Sequence, residues 1–186
     1  LVHNAAVLNP AFAPLIATTV DGFRASMGVN VEAPLFLTTL LLPLLEKARD
    51  ARVLIVSSGA AELNIPGMSV YCMTKQADKF LWGALKAELS PRGVHVGYAV
   101  PGLVKTAMVD NMVVETSTFA LKKDMAARVA GSDFHTPDEV AQFFSFLLLL
   151  EGVAPLGGNS DGKSDGSSDG VVVGVSPKKF SDVLWD

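Results

Sequence analysis

The run Arg52-Val53-Leu54-Ile55-Val56 constrains the fold more than any other stretch of the chain. It is apolar and rich in β-branched residues, and it lacks the polar alternation of a strand with one wet face. That pattern predicts a strand covered on both sides, as in a parallel sheet flanked by helices. Val94 to Val100 repeats it, and Leu1 to Asn4 and Val171 to Val175 read as shorter strands. Helical patterns separate them, from about Thr19 to Lys47, from Ser69 to Leu89, and from Pro137 to about Glu151. Strand, helix, strand, helix, strand, helix, strand describes an α/β fold with a parallel sheet covered by helices.

Local signals mark the helix boundaries. Thr19 and Ser69 are candidate N-caps, and Thr136-Pro137-Asp138-Glu139 places Thr at N-cap, Pro at N1 and Glu at N3, a capping box. Gly22, Gly28, Pro34 and Pro43 predict irregularity in the first helical pattern. Ser90-Pro91-Arg92-Gly93 predicts a stop for the second. On that second helix Met73, Ala77, Phe80, Leu81, Ala84 and Leu85 form a stripe, read as core or as a subunit contact. The last helix is expected to bury Val140, Phe143, Phe144, Leu147 and Leu148. From Thr106 to Asp133 the pattern loosens, and Met108, Met112 and Phe119 are candidates for a pocket lining or for core. Ser-Asp-Gly recurs at 160–162, 164–166 and 168–170 inside the low-complexity stretch 157–170. Its four-residue period matches neither a nine-residue calcium repeat nor an EF-hand loop, so a flexible insertion is expected there.

Composition narrows the functional classes. The 186 residues suit a single domain, and a net charge of −4 argues against nucleic acid as the main partner. No run reaches the ~18 uninterrupted apolar residues of a membrane span; Ala33 to Leu45 comes nearest and contains Thr38, Thr39 and Pro43. No membrane association is therefore expected. His3, His95 and His135 lack metal-ligand spacing, so no metal site is expected. The single cysteine, Cys72, permits no internal disulfide and fits a reducing, cytoplasmic setting.

The chemistry concentrates at the end of the Arg52–Val56 run. Tyr71 and Lys75 lie four apart, which on a helix makes them neighbours on one face. An ammonium within ~4–6 Å of a phenol favours the phenolate, drawing a group with a free pKa of about 10 toward the range useful for proton transfer. Ser58, thirteen residues before Tyr71, sits where the strand would deliver a hydroxyl to the mouth of the sheet. A hydroxyl donor, a tunable acid and a fixed cation converging on one carbonyl would make a reductase site. Two exposed helix residues would give the same Tyr-Lys spacing, so the pair gains weight only from its company.

That company resembles the short-chain dehydrogenase/reductase family. The order and spacing of Ser58, Tyr71 and Lys75 match its catalytic residues. Val2-His3-Asn4-Ala5-Ala6 is similar to its Asn-Asn-Ala-Gly signature, with His3 and Ala6 as departures. Asn30, 41 residues before Tyr71, falls where the family places its fourth catalytic residue. Pro101-Gly102-Leu103-Val104-Lys105-Thr106 resembles its Pro-Gly-x-Val-x-Thr loop.

The resemblance implies a Rossmann-type doubly wound sheet, with these strands as its fourth to seventh. In this reading 1–186 is one partial domain, and roughly 75–90 residues, at about 30 per strand–helix unit, are expected upstream. Those residues would carry the glycine-rich pyrophosphate turn and the determinant of NADP versus NAD. The implied activity is hydride transfer between NADP or NAD and a carbonyl or secondary alcohol. Tyr71 would be the general acid/base, Lys75 would lower its pKa and hold the nicotinamide ribose, Ser58 would bind the carbonyl oxygen, and Asn30 would complete a proton relay through water. Asn4, Ala5, Pro101, Gly102, Val104 and Thr106, together with Tyr71 and Lys75, would border the cofactor. A small-molecule carbonyl or alcohol is the expected partner, and pairing of long helices implies a homodimer or homotetramer. The alternative is a non-catalytic interaction protein that keeps the fold and has lost cofactor binding.

Overall fold

The computed structural model describes residues 1–9, 12–115 and 134–149. Three parallel strands, β1 (Val2–His3), β2 (Ala51–Val56) and β3 (Val94–Ala99), lie side by side in the order β1-β2-β3. Both crossovers are helical. β1 reaches β2 through α1 (Val20–Met27) and α2 (Ala33–Leu45), joined by a π-helical turn over Gly28–Glu32. β2 reaches β3 through α3 (Ser69–Leu89); α4 (Ala107–Glu115) and α5 (Pro137–Leu149) follow. The expected strand at Val171 to Val175 and the insertion at 157–170 lie outside the described residues.

β2 is covered on both faces, as its composition requires. Because side chains alternate along a strand, Val53 and Ile55 point into a cluster with Val94, Val96, Tyr98, Trp82, Leu85 and Leu89, under α2 and α3. Leu54 and Val56 point the other way, onto Ala99 and Phe143 of α5. Helices on opposite faces of a parallel sheet are the Rossmann-type, doubly wound arrangement. Trp82 fixes α3 to the sheet twice: its Nε1 donates to the Val96 carbonyl at 3.0 Å, and its ring lies 5.4 Å from that of Tyr98. β1 is covered on one side only. His3 is buried, with Nε2 within 2.8 Å of Thr38 Oγ1, whereas Val2 is exposed.

The helix ends follow local chemistry with one exception. Thr19 Oγ1 accepts from the Gly22 amide at 3.1 Å, and Thr136 and Glu139 exchange both bonds of the capping box at 2.7 and 3.2 Å. Gly93, at φ 78°, takes the left-handed conformation that turns the chain from α3 into β3. Ser69 is not the cap of α3; it is the first helical residue, after Met68, and its side chain makes no capping bond. The irregularity expected in the first helical pattern falls at Gly28–Glu32 rather than at a proline, and Pro43 is accommodated inside α2.

α2 buries Pro34 and Thr38 but leaves Phe36, Leu40 and Leu44, at i, i+4 and i+8, on an exposed face. The stripe expected on α3 divides: Leu85 enters the core, while Met73 and Phe80, the latter 81% exposed, face outward. By length and composition alone, the helical stretch Val20–Leu45 would suffice to cross a membrane. Its polar Ser26, Asn30 and Thr38 are nevertheless buried and bonded within this fold: Ser26 Oγ donates to the Asn9 carbonyl, and Thr38 Oγ1 donates to the Pro34 carbonyl at 2.8 Å.

Candidate active site

Three parallel strands necessarily end on one edge of the sheet, and in such sheets ligands bind at the carboxyl ends of the strands. Here the residues that follow the strands are Asn4-Ala5 after β1, Ser57-Ser58 after β2 and Val100-Pro101-Gly102 after β3. A cavity of about 490 Å³ opens at this edge. Its polar lining comes from Ser57, Ser58, Tyr71 and Thr106, and its backbone wall from Pro101, Gly102 and Val104. Leu8, Leu63, Ile65, Met68 and Met108 supply an apolar lining. Gly102, at φ 74°, gives the left-handed backbone on which the loop after β3 turns. A bridge between Val104 and His135 ties that loop to the start of α5, with the Lys105 amide donating to the His135 carbonyl and the His135 amide to the Leu103 carbonyl, both at 2.9 Å.

Ser58 and Tyr71 meet on the cavity wall. Ser58 is extended and caps the turn Gly59–Glu62, its Oγ accepting from the Ala60 amide at 3.2 Å. Burial pushes the Tyr71 phenol above its ordinary range, the nearby Ser58 hydroxyl draws it down, and the Asp78 carboxylate pushes it up again.

Lys75 lies behind Tyr71, with Nζ 5.8 Å from the ring centroid. Its ammonium donates to Asp78 Oδ2 at 2.8 Å and to the Val56 carbonyl at 3.3 Å. The expectation that Lys75 would draw the phenol downward is therefore not met in this arrangement. Burial of the phenol is the main cause, and the ammonium is paired with a carboxylate one turn further along α3.

Asn30, 1% exposed, sits in the π-helical turn. Its Oδ1 accepts from the Val7 amide at 2.8 Å, while Nδ2 donates to the Val7 carbonyl at 2.9 Å and to Thr74 Oγ1 at 3.0 Å. Thr74 in turn donates to the Tyr71 carbonyl at 2.8 Å. Asn30 thus clamps the loop after β1 to the helix carrying Tyr71 and Lys75. π-helical turns of this kind are common at functional sites.

Of the residues singled out from sequence, Ser58, Tyr71, Pro101, Gly102, Val104 and Thr106 surround one cavity. Lys75 and Asn30 are buried behind it, and Asn4 and Ala5 are exposed just past β1 without lining it. Met108 lines the cavity; the side chain of Met112 and all of Phe119 lie outside the described residues. Sequence reasoning missed Ser57, Thr74 and Asp78. Asp78 had a readable signal, an acid at i+3 from Lys75 on a helix.

The short chain dehydrogenase family model matches residues 1–116. The chain belongs to the short-chain dehydrogenase/reductase family. It is 35% identical over 148 residues to dehydrogenase/reductase SDR family member 4 of Pongo abelii, covering 79% of this chain and 51% of that protein. The chain thus spans about half the length of this curated relative. A short-chain dehydrogenase/reductase from Saccharomyces cerevisiae superposes with a TM-score of 0.71 at 23% identity, over 80% of this chain and 58% of that one. A gluconate 5-dehydrogenase from Burkholderia cenocepacia, in complex with NADP and tartrate, superposes with a TM-score of 0.65 at 24% identity, over 78% and 55% of the two chains. At these identities the two structures speak for the fold alone.

The clamp generates a stability test. Asn30→Ala leaves the part-buried Val7 amide and carbonyl without their side-chain partner, and should cost about 1–3 kcal/mol in urea denaturation. Thr39→Ala on the exposed face of α2 should stay within about 0.5 kcal/mol of the parent. Equal effects of the two would contradict the clamp.

Proposed function

We propose that the full protein is an NAD(P)-dependent oxidoreductase that interconverts an uncharged carbonyl compound and its secondary alcohol. One observation carries this reading: the Ser58 and Tyr71 side chains share the wall of an otherwise largely apolar cavity at the carboxyl edge of the sheet, with the Lys75 ammonium buried behind them. No charged side chain lines that cavity among the described residues, which favours a neutral, largely apolar substrate.

The residues present suit a nicotinamide group. Lys75 spends two of its three donors on Asp78 and Val56 and keeps one for a ribose hydroxyl. Pro101, Gly102, Val104 and Thr106 offer a close, uncharged backbone wall, and Asn4 and Ala5 lie exposed on the same sheet edge. When bound, NADP or NAD supplies or accepts the hydride. The chain's own part is acid–base and positioning chemistry. Ser58 donates a hydrogen bond to the substrate oxygen and aligns it with Tyr71. Tyr71 gives its proton to that oxygen in reduction and takes it back in oxidation. Lys75, whose charge is shared with Asp78, is the cation beside the phenolate that results. Asn30 holds the framework of the proton path; its side chain is fully engaged with Val7 and Thr74, so any water relay there would run along its main chain. The free, buried Cys72 is in keeping with a reducing, cytoplasmic setting.

Phe36, Leu40 and Leu44 of α2 and Met73 and Phe80 of α3 expose apolar surface that a water-soluble monomer seldom leaves open. We read these faces as the contact of a homodimer or homotetramer. Light scattering of the full protein should give at least a dimer at micromolar concentration, and Leu40→Lys should lower that mass. A monomeric parent would contradict the contact, and a protein recovered only in detergent would point to a membrane instead.

Tyr71→Phe removes one oxygen and keeps the ring. In the full protein it should lower carbonyl reduction by at least ~10²–10⁴-fold, with cofactor affinity in calorimetry little changed. Parental turnover in the variant would place the proton donor elsewhere. A parent that binds NADP or NAD poorly and reduces no ketone would favour the non-catalytic reading of the fold.

A further inference from the structure

Tyr71, Lys75 and Asp78 stand at i, i+4 and i+7 of α3 and share one helix face. The Lys75–Asp78 pair is 2.8 Å long with side chains 3% and 2% exposed, whereas the surface pair Lys79–Glu62 is 40% and 53% exposed. A carboxylate in such a place is costly unless it is paired, and Lys75 is its partner. Its second oxygen, Oδ1, makes no hydrogen bond, and neither does the buried Tyr98 hydroxyl, which lies beside Ser57. Nothing but Lys75 offsets the Asp78 charge at hydrogen-bonding distance among the described groups.

Resting on the oxidoreductase reading above, we propose that Asp78 is a positioning residue: it pairs with the Lys75 ammonium behind Tyr71 and offsets part of its charge, which favours the protonated, proton-donating form of Tyr71. Carbonyl reduction uses that form; alcohol oxidation uses the phenolate. A Lys75 without Asp78 would make the site a better base at neutral pH, and Asp78 biases it toward acid.

The other groups facing Tyr71 do not duplicate this effect. Cys72 on α3 and Asp78 both push its ionisation upward, and the Ser58 hydroxyl at the end of β2 lowers it. From β3 the titratable neighbour is Tyr98, itself held above its ordinary range by burial, with Asp78 and Glu62 pushing the same way. Glu62, in the turn before α3, is paired with Lys79 at 2.6 Å. The π-helical turn and α1 present neutral Asn30 and Ser26 to the interior. Asp78→Asn therefore removes that charge while keeping the shape, and leaves Lys75 as the buried cation beside Tyr71.

The test is ionisation of Tyr71, followed by the carbon signal of protein labelled with [13Cζ]tyrosine and assigned by its loss in Tyr71→Phe. Asp78→Asn should lower the Tyr71 pKa by about one unit or more, and Asp78→Glu should leave it close to the parent value. A folded Asp78→Asn protein with an unmoved Tyr71 would overturn the proposal. Should Asp78→Asn fail to fold, Asp78→Ser, which also removes the charge, decides: it should lower the Tyr71 pKa as well. An unmoved Tyr71 in that folded variant would sink the idea. In turnover, Asp78→Asn should move the acid limb of the oxidation pH profile down by the same amount, about a tenfold gain in oxidation rate on that limb. A protein that shows the tyrosine shift but reduces no carbonyl and oxidises no alcohol would refute the oxidoreductase reading and leave the Asp78 assignment standing.

Discussion

Residues Val53 to Val56 of β2 are buried, and the fold depends on covering them from both sides. One sheet face alone would leave either Val53 and Ile55 or Leu54 and Val56 in water. α2 and α3 must therefore pack on one side and α5 on the other. At ~25 cal/mol per Å² of apolar surface, that two-sided burial outweighs the weak surface ion pairs such as Arg52–Asp50, which contribute little. It also dictates where function can sit. A strand with both faces filled can offer chemistry only at its ends, and parallel pairing gathers the carboxyl ends of all three strands on one edge.

The second layer of organisation is polar. Directly under the cavity lie Asn30, Thr74, Lys75 and Asp78, each 3% exposed or less. Buried polar groups are costly unless satisfied, and all four are tied into short chains: Val7 to Asn30 to Thr74 to the Tyr71 backbone, and Val56 to Lys75 to Asp78. Both chains converge on the first two turns of α3. The effect is to hold the Tyr71 backbone and the Lys75 ammonium in fixed register with the ends of β1 and β2. Among the described residues, two of the three buried side-chain atoms without a hydrogen bond, Asp78 Oδ1 and the Tyr98 hydroxyl, belong to this region; the third is Thr18 Oγ1. Such exceptions in a packed interior tend to mark sites where charge is kept for chemistry.

Much of this was legible from residues alone, for identifiable reasons. The strands announced themselves because two-sided burial leaves a continuous apolar run, and the capping box at Thr136 and Glu139 because its two bonds need those side chains at that spacing. Ser58, Tyr71 and residues of the Pro101–Thr106 loop, singled out by resemblance to the family's motifs, line one cavity. Other features were illegible because they depend on what a helix face meets. Met73 and Phe80 have the same periodicity as Leu85, yet only Leu85 faces the sheet. Ser69 is a good cap by composition, but the chain enters α3 one residue earlier, at Met68. Asp78 reads as one more charge on a helix that also carries Lys79 and Glu88, and only its packing against Lys75 distinguishes it. Burial of the phenol, and after it that one unread residue, oppose the inference that Lys75 lowers the Tyr71 pKa.

If the Ser58, Tyr71 and Lys75 edge is a hydride-transfer site, as proposed, the hydrogen added to the carbonyl carbon comes from the cofactor and not from water. Reduction of an apolar ketone by the full protein with [4-2H]-labelled NADPH and NADH, read by mass spectrometry of the alcohol, tests it most directly. The account predicts one deuterium on the carbinol carbon, delivered from one stereochemical face of the cofactor, and none from deuterated water. An alcohol with deuterium taken from water at that carbon, or no alcohol from either cofactor, would contradict it.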